Sequence, residues 1–584
     1  MMMGTLKKLL QLLDGRQRKQ LYLLFFMMLI GAGLEVISVS MIVPVAALLL
    51  QSDPADLKIY TLMQSLFHLQ TREQFVYAGI GILLVLVIFK TVYLLWEYRL
   101  QYRFVYDNKF AMQKKMLHAF LLRPYEYYLN AGTGEILRMI QGDVSLAFDI
   151  LFHFLSLATD LIISVLLTVT VFIISPLITT AVAVSLLLIV IMIVKILKPR
   201  QHEQGSRRNA LTAQISKWLL QSVNGIREIR ISGTEAYFEE NYDRYGREAA
   251  DIDRSQAVLK NTPKLLIEMV CICSVLLIMA VLTVTGMPAD QLILQLSALI
   301  MAAVKLMPCA NRITNAMNIV AYGTPAVEKA AENLQILKEG DSRDRLREPA
   351  ETIPFTKEIC FEHVSYRYPD TETDVLHDIS LVIRRGDRIG IIGASGAGKT
   401  TFIDILTSLL TPYEGKIMVD GREITADDPA WLSHIGYIPQ DIFVLDDSVS
   451  ANVAFGCAAD MRDESKIRRV LSDAQLLDYI DSLPAGLDTR LGERGSRLSG
   501  GQIQRLGIAR ALYSDPDILI LDEATSALDT VTERSVMKTI DDLPEDKTVI
   551  VISHRAGTVA NCQRIFEIKD KTLQIAERGK QDAY

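Results

Sequence analysis

The residue types best suited to chemistry lie between Gly393 and Asp529. Gly393-Ala394-Ser395-Gly396-Ala397-Gly398-Lys399-Thr400 reads G-x-x-x-x-G-K-[ST]. An apolar run, Arg388 to Ile392, precedes it as a strand, and Thr400 to Leu410 follows as a helix. A phosphate-binding loop needs that setting. Its glycines let backbone N–H groups turn inward, its lysine adds a cation near the β/γ-phosphates, and its Ser/Thr hydroxyl can ligate Mg²⁺. A second apolar strand, Ile518 to Leu521, ends in two carboxylates, Asp522 and Glu523. The first suits Mg²⁺, directly or through water, and the second suits polarising an attacking water. Between them Leu498-Ser499-Gly500-Gly501-Gln502 opens a helix. Small residues and unpaired N–H groups at a helix N-terminus suit an anion.

Taken together, these motifs resemble the nucleotide-binding domain of ABC transporters. Further residues fit that family: Tyr368 as the aromatic under the adenine, Gln440 as the Q-loop glutamine, Ser526-Ala527-Leu528-Asp529 as the D-loop, and His554 as the switch histidine. The resemblance implies ATP and Mg²⁺ as cofactors. It places Tyr368, Gly393, Ser395, Gly396, Ala397, Gly398, Lys399, Thr400, Thr401 and Asp522 around the nucleotide, with Ser499, Gly500, Gly501 and Gln502 contributed by the signature. Thr400, Gln440 and Asp522 would hold the metal, and Glu523, His554 and Gln440 would serve hydrolysis. Two departures stand out. Ile503 occupies a position where a basic residue is usual, and Ala556-Gly557 follow His554-Arg555 where a bulkier pair is usual.

The remainder of the chain is of another kind. Of 584 residues, 50% are hydrophobic and mean hydropathy is +0.24, too apolar for a soluble enzyme. A net charge of −7 argues against a general nucleic-acid binder. The six cysteines show neither metal-ligand spacing nor a disulfide framework. Basic residues from Lys7 to Lys19 precede the apolar run Leu21–Leu50, which is too long for the core of a signal peptide and reads as a retained membrane helix.

Six segments are apolar over the ~20 residues a bilayer requires: 21–50, 75–96, 151–174, 177–197, 265–286 and 292–309. Pro176 separates the third from the fourth. The connections 97–146 and 198–264 are rich in Lys and Arg, while 51–74 and 287–290 hold only Lys58 and Arg72. The positive-inside rule therefore puts both termini, the two long connections and the nucleotide-binding domain in the cytoplasm. The long connections read as helical extensions. Gly132-Thr133-Gly134-Glu135 and Gly225-Ile226-Arg227 resemble the intracellular loops of type IV exporters, whose tips dock on the nucleotide domain. Those tips are expected near 123–130 and 232–240. Apolar residues at helical spacing in 51–74 fit either a short helix in the outer interface or one packed over the first two spans. The expected fold is a six-helix, all-α transmembrane domain of exporter type (1–332), a linker (333–355) and an α/β P-loop nucleotide-binding domain (356–584).

Charges inside membrane segments are costly and mark candidate sites. They include Lys90, Lys264, Lys305 and Arg312, with Glu35, Asp160 and Glu268. Lys264 and Glu268 stand four apart, at pairing distance on one helix face. Lys264 and Arg312 lie near segment ends, so snorkelling to water is the plain alternative. As a set the four cations resemble those of bacterial lipid-linked oligosaccharide flippases of the ABC family, in which basic residues face a lipid pyrophosphate. That likeness implies a homodimeric half-transporter in the bacterial cytoplasmic (inner) membrane, moving an amphipathic, lipid-linked substrate. An exporter of drugs, peptides or other lipids is the alternative, and a non-transporting ATP-dependent regulator or channel is the other class.

Overall fold

The computed structural model describes residues 2–41, 72–130, 132–174, 176–284, 289–333, 354–369, 371–525, 528–553 and 558–576. The connection 42–71, the linker from 334 to 353, Ser526, Ala527 and His554 lie outside the described residues. The chain divides into two units, residues 1–123 with 131–341 and residues 124–130 with 342–584.

Among the described residues the first unit is all helix. Its elements are α1 (Met2–Gln11), α2 (Gly15–Ser40), α3 (Arg72–Leu121), then, after the segment assigned to the second unit, α4 (Thr133–Leu137), a π-helical turn (Arg138–Asp143), α5 (Val144–Ile174), α6 (Pro176–Asn224), α7 (Ile226–Ser232), α8 (Glu235–Val284) and α9 (Ala289–Glu332). An apolar environment leaves backbone polar groups no partner but each other, so these runs become helices. Among the described residues, four stretches, 15–40, 73–121, 134–170 and 235–280, are long and apolar enough to cross a membrane. The charged connections continue the helices, so α3, α6 and α8 reach 50, 49 and 50 residues. Pro176 opens α6, where its missing N–H is no loss and its fixed φ suits a helix start. Gly233, at φ +64, ends α7 in the left-handed cap that glycine favours. Two interior glycines let helices approach closely. A Cβ at Gly205 would collide with the carbonyl oxygen of Tyr322, and one at Gly323 with the side chain of Ile150.

Among its described residues the second unit has two sheets. An antiparallel sheet runs in the order β2-β1-β4-β5, from β1 (Glu358–Tyr366), β2 (Leu376–Arg384), β4 (Glu414–Val419) and β5 (Arg422–Glu423). The larger sheet runs β10-β9-β3-β8-β7-β6, from β3 (Arg388–Ile392), β6 (Ile435–Ile438), β7 (Ile518–Asp522), β8 (Thr548–Ile552), β9 (Arg564–Lys569) and β10 (Thr572–Ile575). All its pairings are parallel except β9 with β10. Parallel strands are covered on both faces, which is why β7 and β8 read as unbroken apolar runs and are wholly buried. One core lies around Phe361, Phe402, Trp431 and Ile520, and the other around Leu471, Leu506, Leu519 and Val551. The short helix Tyr125–Asn130 belongs to this unit: Tyr125 packs on the first core, and the backbone N–H of Thr411 donates to Glu126 Oε1 at 3.3 Å.

Candidate functional site

The phosphate loop leaves the C-terminal end of β3 and enters a helix, Lys399–Leu406, the place where open α/β sheets bind ligands. Gly396 and Gly398 take φ of +80 and +103, so side chains there would be strained. A Cβ at Gly393 would lie 2.8 Å from the carbonyl oxygen of Ile568, and one at Gly398 3.0 Å from Leu376 Cδ2. At Gly396 it would meet nothing within 4 Å, so this side of the loop is open to a ligand. Ser395 and Thr400 are exposed beside it, whereas Thr401 is buried and Ala397 packs on the first core.

Lys399 is 7% exposed and its ammonium donates to the carbonyls of Gly393 and Ala394 at 2.9 and 3.2 Å. Burial pulls its pKa below the usual lysine range, against the opposing pull of the Glu523 and Asp522 carboxylates. A cation under this tension gains from a phosphate that lies closer than either carboxylate. Tyr368 is half-buried; its hydroxyl meets the Thr401 hydroxyl at 3.1 Å and its ring stands edge-on to Tyr366.

Asp522 ends β7, 6% exposed. Glu523 follows at φ +51, with its N–H bonded to Ile552 O at 3.0 Å. A left-handed, non-glycine residue stores strain of order 1–3 kcal/mol, and such strain clusters at functional sites. Gln440 is exposed just beyond β6. Two further groups meet Asp522 that sequence reasoning missed. The phenol of Tyr437 donates to Asp522 Oδ2 at 3.2 Å, and burial first, then the nearby carboxylate, holds that phenol above its ordinary pKa. Asp404, 9% exposed on the phosphate-loop helix, is pushed up to about 6 by burial and by Asp522. The missing signal was strand adjacency: β6 lies next to β7, with Tyr437 opposite Ile520.

The signature helix, Gly500–Tyr513, is capped by Ser499, whose Oγ accepts from Gln502 N at 3.3 Å while Gln502 Oε1 accepts from Ser499 N at 2.7 Å. This reciprocal box holds the helix start, and Ser499 and Gly500 remain exposed with Gly501 half-buried beside them. Ile503 is explained by packing: it contacts the second core beside Gly495 and Val444. Of the D-loop, Leu528 is buried and Asp529 caps the helix Thr530–Asp541, accepting from Val531 N and Thr532 N at 3.1 and 3.0 Å.

In the helical unit, Arg312 on α9 pairs with Asp160 on α5 at 2.7 Å. The Asp160 side chain is 6% exposed and that of Arg312 50%. The pairing of Lys264 with Glu268 suggested by their spacing is not formed: Lys264 is exposed and makes no ion pair among the described residues. Separation by four residues permits contact on a helix but does not secure it where both side chains can reach solvent or headgroups. Lys90 is half-exposed on α3, and the side chain of Lys305 is outside the described residues.

Comparison with known proteins bears on both units. The family model described as the ABC transporter matches residues 376–526, and that of the ABC transporter transmembrane region matches 20–304. An ATP-dependent lipid A-core flippase of Pseudomonas aeruginosa is 31% identical over 81% of this chain and 77% of its own. The chain belongs to the ABC transporter family. It is an exporter-type half-transporter, one membrane-spanning helical domain followed by one nucleotide-binding domain, and it couples ATP hydrolysis to transport. A lipid A-core flippase of Ralstonia nicotianae is 29% identical over 80% of this chain and 78% of its own. The solved structure of a bacterial Atm1-family ABC exporter with ATP bound superposes with a TM-score of 0.72, covering 96% of this chain and 95% of that one at 22% identity, and so has the same fold.

Proposed function

We propose that two copies of this half-transporter form a homodimer in a bacterial inner membrane and flip an amphipathic lipid with an anionic, phosphate-bearing head, most specifically a lipid-linked oligosaccharide. Supporting the dimer, the signature residues Ser499 and Gly500 are exposed, as residues completing a partner's nucleotide site would be. Two equivalent sites would follow, each with the phosphate loop of one copy and the signature of the other.

The donor set fits ATP and Mg²⁺: an open glycine loop, a buried lysine in tension and a buried strand-end carboxylate. When bound, MgATP supplies the phosphoanhydride whose cleavage resets the cycle. Lys399 would exchange its loop carbonyls for phosphate oxygens. Thr400, Asp522 and Gln440 would hold the metal, and Tyr368 would stack on the base. Glu523 would take a proton from water, with His554 assisting.

The cargo reading is carried by Arg312. Its guanidinium is anchored by a buried carboxylate yet leaves half its side chain uncovered. An anchored, partly exposed arginine is pre-organised for a phosphate. The names of the curated relatives, lipid A-core flippases, favour a lipid cargo over drugs or peptides. Removing Arg312 alone would strand Asp160, so the test uses Arg312→Gln/Asp160→Asn. Flipping of a pyrophosphate-linked lipid should fall by about tenfold or more, given ~1.5–3 kcal/mol for a charged hydrogen bond, while a neutral amphiphile is little affected. Equal small losses for both cargoes would overturn the anionic-head reading and leave a general exporter.

A further inference from the structure

The helical unit holds a second polar feature, remote in sequence from Arg312 and unused by the reading above. A cavity of about 600 Å³ lies between the N-terminal half of α2 and the C-terminal half of α3. Its polar rim carries Asp14, Arg16, Arg103 and Asp107, with Gln17, Gln20 and Asn108. Its other wall is apolar: Leu23, Leu24, Met27, Leu100 and Phe104.

Both helices place this cavity at a membrane boundary. Along α2 the chain turns from polar to apolar between Gln20 and Leu21. Along α3, which is antiparallel to it in the expected topology, the reverse change falls between Trp96 and Gln101. Trp96, Tyr98, Tyr102 and Tyr106 are about half exposed along that stretch, an aromatic belt of the kind found at headgroup level. The cavity therefore spans the step from headgroups to acyl chains on the side of the N-terminus.

The rim charges are of both signs and loosely held. Arg103 pairs with Asp107 at 3.4 Å, and Asp14 pairs with Lys115 at 2.7 Å, all with more than half of their side chains exposed. Exposed pairs of this kind contribute little and exchange partners readily. Arg16 makes no ion pair among the described residues. The rim thus offers two guanidiniums to a phosphate and two carboxylates to a cation, above a wall suited to acyl chain.

We propose that this groove binds a phosphatidylethanolamine-type lipid, its phosphate on Arg16 and Arg103 and its ammonium on Asp14 and Asp107. A primary ammonium donates hydrogen bonds to carboxylates, which a choline head cannot do. A phosphatidylglycerol head has no cation and leaves the two carboxylates facing its phosphate. The site is independent of the cargo reading.

The test is native mass spectrometry of the full chain released from detergent with acyl-matched phosphatidylethanolamine, phosphatidylcholine or phosphatidylglycerol. One phosphatidylethanolamine per chain should be retained about fivefold or more over the other two, the discrimination expected from one or two charge-assisted hydrogen bonds. Asp14→Asn/Asp107→Asn should erase the preference over phosphatidylcholine while still retaining lipid; Asn caps a helix as well as Asp, so α2 keeps its start. Arg16→Gln should lower retention of all three. Equal retention of the three lipids by the unaltered chain, a preference for phosphatidylglycerol, or an undiminished preference in the double variant would overturn the proposal. The unaltered chain decides alone if a variant fails to fold.

Discussion

The phenol of Tyr437 donates a hydrogen bond to Asp522 Oδ2 at 3.2 Å, tying the strand that leads to Gln440 to the strand that ends in the proposed metal carboxylate. This contact orients Asp522. Tyr437→Phe should therefore raise the Mg²⁺ concentration for half-maximal ATP hydrolysis about threefold to tenfold, the range expected for loss of one hydrogen bond to a charged group. The maximal rate at saturating Mg²⁺ should change much less. An unchanged Mg²⁺ titration would show that the phenol only fills space.

Glu523→Gln should bind ATP but hydrolyse it at least about tenfold more slowly, because an amide cannot accept the proton of the attacking water and general-base contributions are ~10²–10⁴-fold. Nucleotide binding and steady-state turnover by the purified variant check both halves. Near-normal turnover would move the base elsewhere.

Lys399→Ala and Ser499→Arg impair opposite halves of the proposed composite site. Each homodimer would have two defective sites, whereas a mixed dimer would combine both lesions in one site and leave the other intact. Mixing the two variants should restore hydrolysis above both parents. Activity no higher than that of either parent, with mixed dimers isolated by two tags, would count against a shared site.

Asp404 supplies a pH dependence with a definite sign. Its carboxyl is raised from 3.8 to about 6 in the fold, so the native state holds its proton more tightly than the unfolded chain. The fold loses stability as pH rises through that window and the loss is complete above it. Asp404→Asn removes the cost. The melting temperature of the nucleotide-binding domain should rise at pH 7.5, corresponding to on the order of 1–3 kcal/mol, and the gain should vanish below about pH 4. A gain equal at all pH values would mean that the change acts through packing.

The type of fold, and the local backbone of the proposed ATP site, were legible because they rest on local rules. Gly393 to Gly398 form a loop between strand and helix, since their glycines take backbone angles that other residues avoid and the flanking runs supply both elements. The strand ending at Asp522, the cap at Ser499 and the helix start at Pro176 are equally local. The charged connections, read as helical extensions, do continue the long helices.

Only the tertiary structure decided which distant groups meet. Tyr437 reaches Asp522 because β6 docks beside β7, across 85 residues of chain. Arg312 finds Asp160 across 152 residues, while Lys264 and Glu268, four apart and correctly spaced, do not pair. Helical spacing sets what neighbours can do on one face. Burial decides what they must do, because a carboxylate as covered as Asp160 requires a partner and an exposed lysine does not.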